Sequence, residues 1–492
     1  MAGGIEQLSS LDAQFLAIES DRNYGHTGGL AILDPSTAPG GKLTLEDLKE
    51  GIGKRLHLVP PFTMRLEEVP FGLDWPYWVR DEHFDLGFHC REIALPPPGD
   101  SRQLVEQAGR IYSRRLDRAR PLWEIYLIHG LEDGRVALLS KTHHAAVDGL
   151  SGSEIMSALY DLTPEPREVD PPTEAELDRS PPDGRDLLAH GLKSLPRYPV
   201  NLATRLGRLL PHVDVVPSVA GMPGSEWMSR SLSKARITLS RDSDGHVIER
   251  PSIKAPKGPY GGTVSPHRIF GIGSLSLDQV KEVKNAFGVK VNDVVVSLVA
   301  GAVRKDLMDR GELPYEPLVV MVPISVRTEE ERGTFGNKVS AMVVPMPTHL
   351  SDPVDRLTFS HDTMIIAKEN HEALPVEAMR DISTLVPPAL HTRAARMATA
   401  FSGRFTRPPW NVIVSNVPGP PMDLYCCGAR MEAMHPLSII SDGMGLNVTV
   451  LSYRDSIDIG ITADREQTPN VQDIVELMEA ELEDLLAAIP RD

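Results

Sequence analysis

Lys141-Thr142-His143-His144-Ala145-Ala146-Val147-Asp148-Gly149 is the stretch on which the reading of this chain turns. Before it, Gly134 to Ser140 is a turn followed by a short apolar run, which predicts a buried strand. After it, Ser151 to Leu162 predicts a helix. Ser151 is its expected N-cap, Glu154 the reciprocal partner in a capping box, and Ile155, Leu159 and Leu162 one apolar face. The histidines therefore fall at a strand end, in a tight connection ahead of a helix N-terminus. Loops held between rigid elements commonly carry catalytic groups.

The chemistry this arrangement suits is proton transfer. A neutral imidazole takes a proton from a hydroxyl near neutral pH and returns it later. Successive side chains of an extended segment point opposite ways, so His143 and His144 are not expected to share one site. One faces a reaction chamber and the other packs or hydrogen-bonds elsewhere. Asp148-Gly149 reads as a turn that fixes the loop, its carboxylate pairing with an arginine or holding the loop backbone. Two other readings stand beside this one. A histidine beside an apolar strand is commonly structural. A zinc site is disfavoured, because co-ligands must lie on one face, as at i, i+4, and adjacent histidines do not.

His143 to Gly149 matches the HHxxxDG signature and so resembles the coenzyme A-dependent acyltransferase superfamily. That superfamily includes chloramphenicol acetyltransferase and the condensation domains of peptide synthetases. Four more segments follow in a telling order: Leu11-Asp12-Ala13-Gln14-Phe15-Leu16, Pro121-Leu122-Trp123-Glu124, Val291-Asn292-Asp293-Val294-Val295 and Ser415-Asn416-Val417-Pro418-Gly419-Pro420. Together they resemble the bacterial wax ester synthase/diacylglycerol acyltransferase family, over nearly the whole chain apart from about residues 163 to 260. A DFGWG motif found in many superfamily relatives is absent, and Ser415 to Pro420 stands in a comparable stretch.

The resemblance implies an α/β (α+β) fold of two chloramphenicol acetyltransferase-like subdomains with a tunnel between them. With the composition it implies an N-terminal subdomain over residues 1–162, a linker and crossover over 163–265, and a C-terminal subdomain over 266–492. It implies transfer of a fatty acyl group from acyl-coenzyme A to diacylglycerol or a long-chain alcohol. His144 is then the general base, with His143 beside it, Asp148 orienting the loop and Gly149 permitting its turn. Glu19 matches a glutamate near the reaction chamber, Asn292-Asp293 a motif near the active site, and Pro121-Leu122-Trp123 a support beneath it. Acyl-coenzyme A is a substrate, so no cofactor and no metal are implied. Two other readings remain: a carrier-protein-dependent acyltransferase or condensation enzyme, and a catalytically silent lipid-binding or lipid-droplet protein.

The composition fits this frame. The chain has 492 residues, 41% hydrophobic and 24% charged, as in ordinary globular proteins. A net charge of −17 argues against nucleic acid as a partner. Cys90, Cys426 and Cys427 are too few and too odd in number for a disulfide framework, which suits a reducing cytosol. Met1 to Gln7 carries no basic and apolar leader pattern, and no apolar run approaches the ~18 residues of a spanning helix. The expected location is cytoplasmic, peripheral to the inner face of the membrane or to lipid inclusions.

Other segments yield plainer expectations. Asp161 to Asp183, rich in proline and acid, predicts an exposed linker. Arg185 to Leu210 interleaves cations with leucines, which suits either a membrane-surface helix or a packed crossover helix. Helices are predicted over Ser10–Glu19, Thr44–Leu56 and Arg102–Arg118, and a capping box at Ser276–Gln279 opens another. Asn292 is predicted as the N-cap of a long apolar helix to about Arg310. Trp75 to Val79 is an aromatic cluster that suits core packing or a tunnel wall, and Gly333 to Asn337 a glycine-containing turn.

Overall fold

Among the described residues two six-stranded sheets carry the fold. The computed structural model describes residues 6–9, 12–147, 152–173, 184–198, 255–325, 339–372, 388–390, 392–393 and 410–490. Asp148, Gly149, the Ser151 cap, the turn Gly333–Asn337, the linker beyond Thr173 and the basic segment beyond Tyr198 lie outside these residues.

The first half runs β1 (Glu6–Gln7), α1 (Asp12–Ile18), β2 (His26–Asp34), α2 (Leu45–Gly53), β3 (Met64–Glu67), β4 (Tyr77–Arg80) and α3 (Leu86–His89). It continues with β5 (Cys90–Ala94), α4 (Ser101–Tyr112), β6 (Trp123–His129), β7 (Val136–His143), α5 (His144–Val147), α6 (Gly152–Leu159) and α7 (Gly184–Ser194). The helix starts follow local chemistry. Thr44 caps α2 and Asp47 answers it; Asp100 caps α4 and Gln103 answers it. Along α4, Leu104, Ala108 and Ile111 form the buried stripe.

The predicted helix over Arg102–Arg118 ends early, at Tyr112. Buried Lys141 supplies the reason: its ammonium donates to the carbonyls of Ile111 and Arg114, capping the C-terminus of α4 with a cation. The helix after the histidines also stops early, at Leu159. Asp161 is drawn away by Arg55, which binds both carboxylate oxygens at 2.8 and 2.7 Å, and by backbone pairing with Tyr425.

The second half contains β8 (Arg268–Ser276), α8 (Leu277–Phe287), α9 (Val291–Asp309), β9 (Leu318–Ser325), β10 (Val339–Met346), α10 (Pro353–Glu372) and β11 (Val412–Val417). It closes with β12 (Tyr425–Cys426), β13 (Ala429–Leu437), β14 (Leu446–Tyr453), β15 (Ser456–Asp464) and α11 (Val471–Ala487). Helix α9 is apolar all round because Val294 to Val303 are all buried, against the sheet and helices α10 and α11. Asn292 is not its N-cap, contrary to expectation. Lys290 holds that place, and Asp293 at the third helical position accepts the Lys290 N–H at 2.9 Å, so the acid three residues on fixes the helix start. Ser276 caps α8 by accepting from Gln279 N, and Gly288 ends it in the left-handed region at φ 68°.

The sheets do not divide as the chain does. Their orders are β12-β13-β2-β7-β6-β5 and β10-β9-β11-β14-β15-β8. Strand β13 leaves the second half and pairs antiparallel with β2, so the first sheet is completed by a late segment. Tyr112 of α4 meets Phe270 of β8 edge-on at 5.2 Å, packing the two halves together. A third sheet, β1-β4-β3, carries the aromatic cluster. Trp75 and Tyr77 are buried there, Trp75 packing with Leu8 and Leu122 and Tyr77 with Val69 and Leu187, so both serve the core. Among the described residues no single helix is long and apolar enough to cross a membrane.

Candidate active site

His143 is the last residue of β7 and His144 the first of α5. Backbone hydrogen bonds lock both. His143 N donates to Leu122 O at 2.9 Å, and His144 N donates to Gly25 O at 2.8 Å. Leu122 is the buried centre of Pro121-Leu122-Trp123, which thus lies directly beneath the histidine pair.

The two rings have different surroundings. His143 is buried. Its Nδ1 accepts the Ala145 N–H at 3.1 Å, which leaves the ring proton on Nε2. Nε2 stands 3.2 Å from Glu19 Oε1, at ion-pair range but off the line of a straight hydrogen bond. Glu19 is held from three further directions. Gly25 N–H donates to Oε1 at 2.9 Å, while Arg118 Nη2 and Nε donate to Oε2 at 2.6 and 3.2 Å. Burial works against this carboxylate, but His143, Arg118 and the Gly25 N–H outweigh it and hold its pKa well below the usual range.

His144 is partly exposed and lies flat on Phe15, with ring centroids 3.9 Å apart and planes 18° from parallel. Its Nδ1 is enclosed without a hydrogen-bond partner among the described residues. Burial, the largest cause, together with the neighbouring His143, lowers its pKa to about 4. The imidazole is therefore neutral across the physiological range, the form that accepts a proton.

Gly25 links the whole group. Its N–H serves Glu19, its carbonyl serves His144, and an added Cβ would fall 2.5 Å from His143 Nε2. Gly25 and Arg118 were not legible as site residues. Arg118 reaches Glu19 across 99 positions of sequence, and no local pattern encodes that pairing. Phe15 lies within the quoted segment Leu11 to Leu16, whose helical spacing shows only a face and not what the face meets.

Asn292 and Asp293 open helix α9. Among the described residues, no hydrogen bond or ion pair connects them to His143, His144 or Glu19. Asp293 Oδ2 instead faces His361 Nδ1 at 2.7 Å, and the Asn292 Oδ1 is enclosed without a partner. Both line a cavity of about 390 Å³ together with Lys290, Met342, Met364 and Lys368. Contacts thus join Glu19 to His143, and the Asn-Asp pair makes its own contacts in the cavity wall. No cluster of three His, Cys, Asp or Glu side chains suited to a metal occurs among the described residues.

The starter condensation domain of rhizomide synthetase superposes with a TM-score of 0.51 at 12% identity, covering 98% of this chain and 94% of that one, a likeness of fold alone. The fold of that condensation domain is thus shared by this chain. Residues 8–295 match the wax ester synthase/diacylglycerol acyltransferase catalytic domain, and residues 335–486 match the C-terminal domain of the same proteins. The chain belongs to the wax ester synthase/diacylglycerol acyltransferase family and is an acyltransferase of that class. Rv3740c of Mycobacterium tuberculosis, which carries the name of a diacylglycerol O-acyltransferase, is 36% identical over 486 residues, 98% of this chain and 100% of that protein. The wax ester synthase/diacylglycerol acyltransferase of Marinobacter aquaeolei VT8 superposes with a TM-score of 0.67 at 28% identity, covering 98% of both chains.

Proposed function

We propose that this protein moves a fatty acyl group from acyl-coenzyme A to the hydroxyl of diacylglycerol, giving triacylglycerol, or of a long-chain alcohol, giving a wax ester. His144 is the general base. Its Nε2 takes the hydroxyl proton as the acceptor oxygen attacks the thioester carbonyl. The tetrahedral intermediate then collapses, the carbon–sulfur bond breaks, and His144 returns the proton to the departing thiolate. His143, pinned by Glu19 and the Ala145 N–H, holds the strand end from which His144 projects. Asp148 orients the loop that follows and Gly149 permits its turn.

The observation that carries this reading is the state of His144: neutral, partly exposed, stacked on Phe15 and fixed at a strand–helix junction. The family supplies the substrate classes. Both acceptors are insoluble in water, so the enzyme works on this reading at the cytoplasmic face of a membrane or at a lipid inclusion. The test is product analysis with labelled palmitoyl-coenzyme A, offering diacylglycerol and hexadecanol separately. Label in triacylglycerol or wax ester supports the reading. Absence of label from both products overturns it in favour of a carrier-protein acyltransferase or a silent lipid binder.

A further inference from the structure

Phe71 is 85% exposed and sits at φ 63°, in the left-handed region that favours glycine, at the tip of the turn Pro70–Gly72. A large aromatic held in water on a strained backbone is doubly unfavourable for an isolated chain. Its neighbourhood is built from distant segments. Gly191 of α7 packs on Val69 and Leu73, the residues flanking that turn; an added Cβ would stand 2.8 and 3.1 Å from their side chains. Gly72 abuts Ala389 with a corresponding distance of 3.1 Å. One residue beyond each contact, Leu192 is 54% exposed and Leu390 56% exposed. Three apolar side chains thus crop out around one junction.

The same segments carry exposed cations. Helix α7 turns Leu187, Gly191 and Ser194 inward and leaves Arg185 and Lys193 in solvent, with Asp186 its one acid. Arg393, three residues past Leu390, is exposed too. None of these three cations has an ion-pair partner among the described residues. Exposed Glu68 and Asp186 offset them in part, but Arg185, Lys193, Arg197 and Arg393 outnumber these acids, and in a chain of net charge −17 this local excess of positive charge beside an apolar tip selects an anionic lipid surface.

We infer that Phe71, Leu192 and Leu390 insert into a lipid surface while Arg185, Lys193 and Arg393 pair with its anionic headgroups. This docking face deepens the acyl-transfer reading, which supplies the reason for approaching lipid, but it is tested separately.

The experiment is sedimentation of the full chain with vesicles of phosphatidylcholine, with and without an equal share of phosphatidylglycerol. Wild type binds the anionic vesicles more tightly, Phe71→Ser lowers partitioning about tenfold, and Lys193→Gln lowers it about fivefold. Phe71→Trp gives a fluorophore whose emission shifts to the blue and is quenched by brominated lipid. Transfer to a water-soluble short-chain alcohol stays at the wild-type rate in these variants. Equal binding by wild type and Phe71→Ser, no quenching of the tryptophan, or a change in oligomeric state without a change in vesicle binding overturns the inference. Binding through Phe71 by a protein that transfers no acyl group supports docking and overturns the acyl-transfer reading instead.

Discussion

Glu19 Oε1 stands 3.2 Å from His143 Nε2, and both side chains are almost wholly buried. Glu19 also takes two bonds from Arg118 and one from the Gly25 backbone, so one carboxylate joins α1, the β2 entry and the histidine strand. Replacing it by an amide turns one of its two acceptor oxygens into a donor, so either the Gly25 N–H or Arg118 then faces a donor.

Glu19→Gln is expected to cost about 3 kcal/mol of stability at pH 7, as for other broken buried pairs. The folded-state pKa lies below the ordinary 4.5, so the stabilisation is fully present above that value and is lost as pH falls below it. Urea unfolding of wild type and variant checks this. The gap between them holds constant above pH ~5 and narrows in acid.

Gly25→Ala places a methyl 2.5 Å from His143 Nε2, 3.0 Å from its Cε1 and 3.1 Å from the Phe15 carbonyl oxygen. Backbone and buried ring cannot both yield. A loss of 1–3 kcal/mol is expected, of order ~2 as for overpacked cores, and turnover falls with it. A thermal melt beside an activity assay reads both.

Phe15→Leu keeps an apolar side chain but removes the stack on His144. Aromatic pairing of this kind is worth about 1 kcal/mol, so turnover should fall up to about tenfold. KM should move little, and Phe15→Tyr should restore the rate. A change confined to KM would show that Phe15 contacts substrate instead of positioning the base.

The pH profile follows from the lowered pKa of His144. The folded group protonates near pH 4 and the unfolded one near 6.5. Its contribution to stability is therefore full above 6.5 and lost as pH falls toward 4, because the unfolded chain takes the proton first. The acid limb of kcat/KM should accordingly have an apparent pKa well below 6.5.

The sequence around the histidines made the strand, the break and the following helix legible, because apolar runs and cap residues act locally. Glu19 and Pro121-Leu122-Trp123 came from resemblance, and the structure gives them physical partners: the His143 ring and its backbone N–H. What stayed hidden was set by topology. Arg118 meets Glu19, and β13 meets β2, across sequence distances over which no periodicity operates. Asn292 was misread for a local reason. It is a good cap residue, but the Asp293 carboxylate reaches back to the Lys290 N–H and starts the helix at Val291. The stops at Tyr112 and Leu159 are likewise imposed by Lys141 and Arg55, both remote in sequence from the helices they end.

The proposed mechanism depends most on His144 as the group that removes the acceptor's proton. The direct measurement is the rate of acyl transfer from labelled palmitoyl-coenzyme A by His144→Ala, with its fold checked by an unchanged urea midpoint at pH 8. A drop of roughly 10²–10⁴-fold is predicted. A folded His144→Ala protein that transfers at the wild-type rate would contradict the assignment.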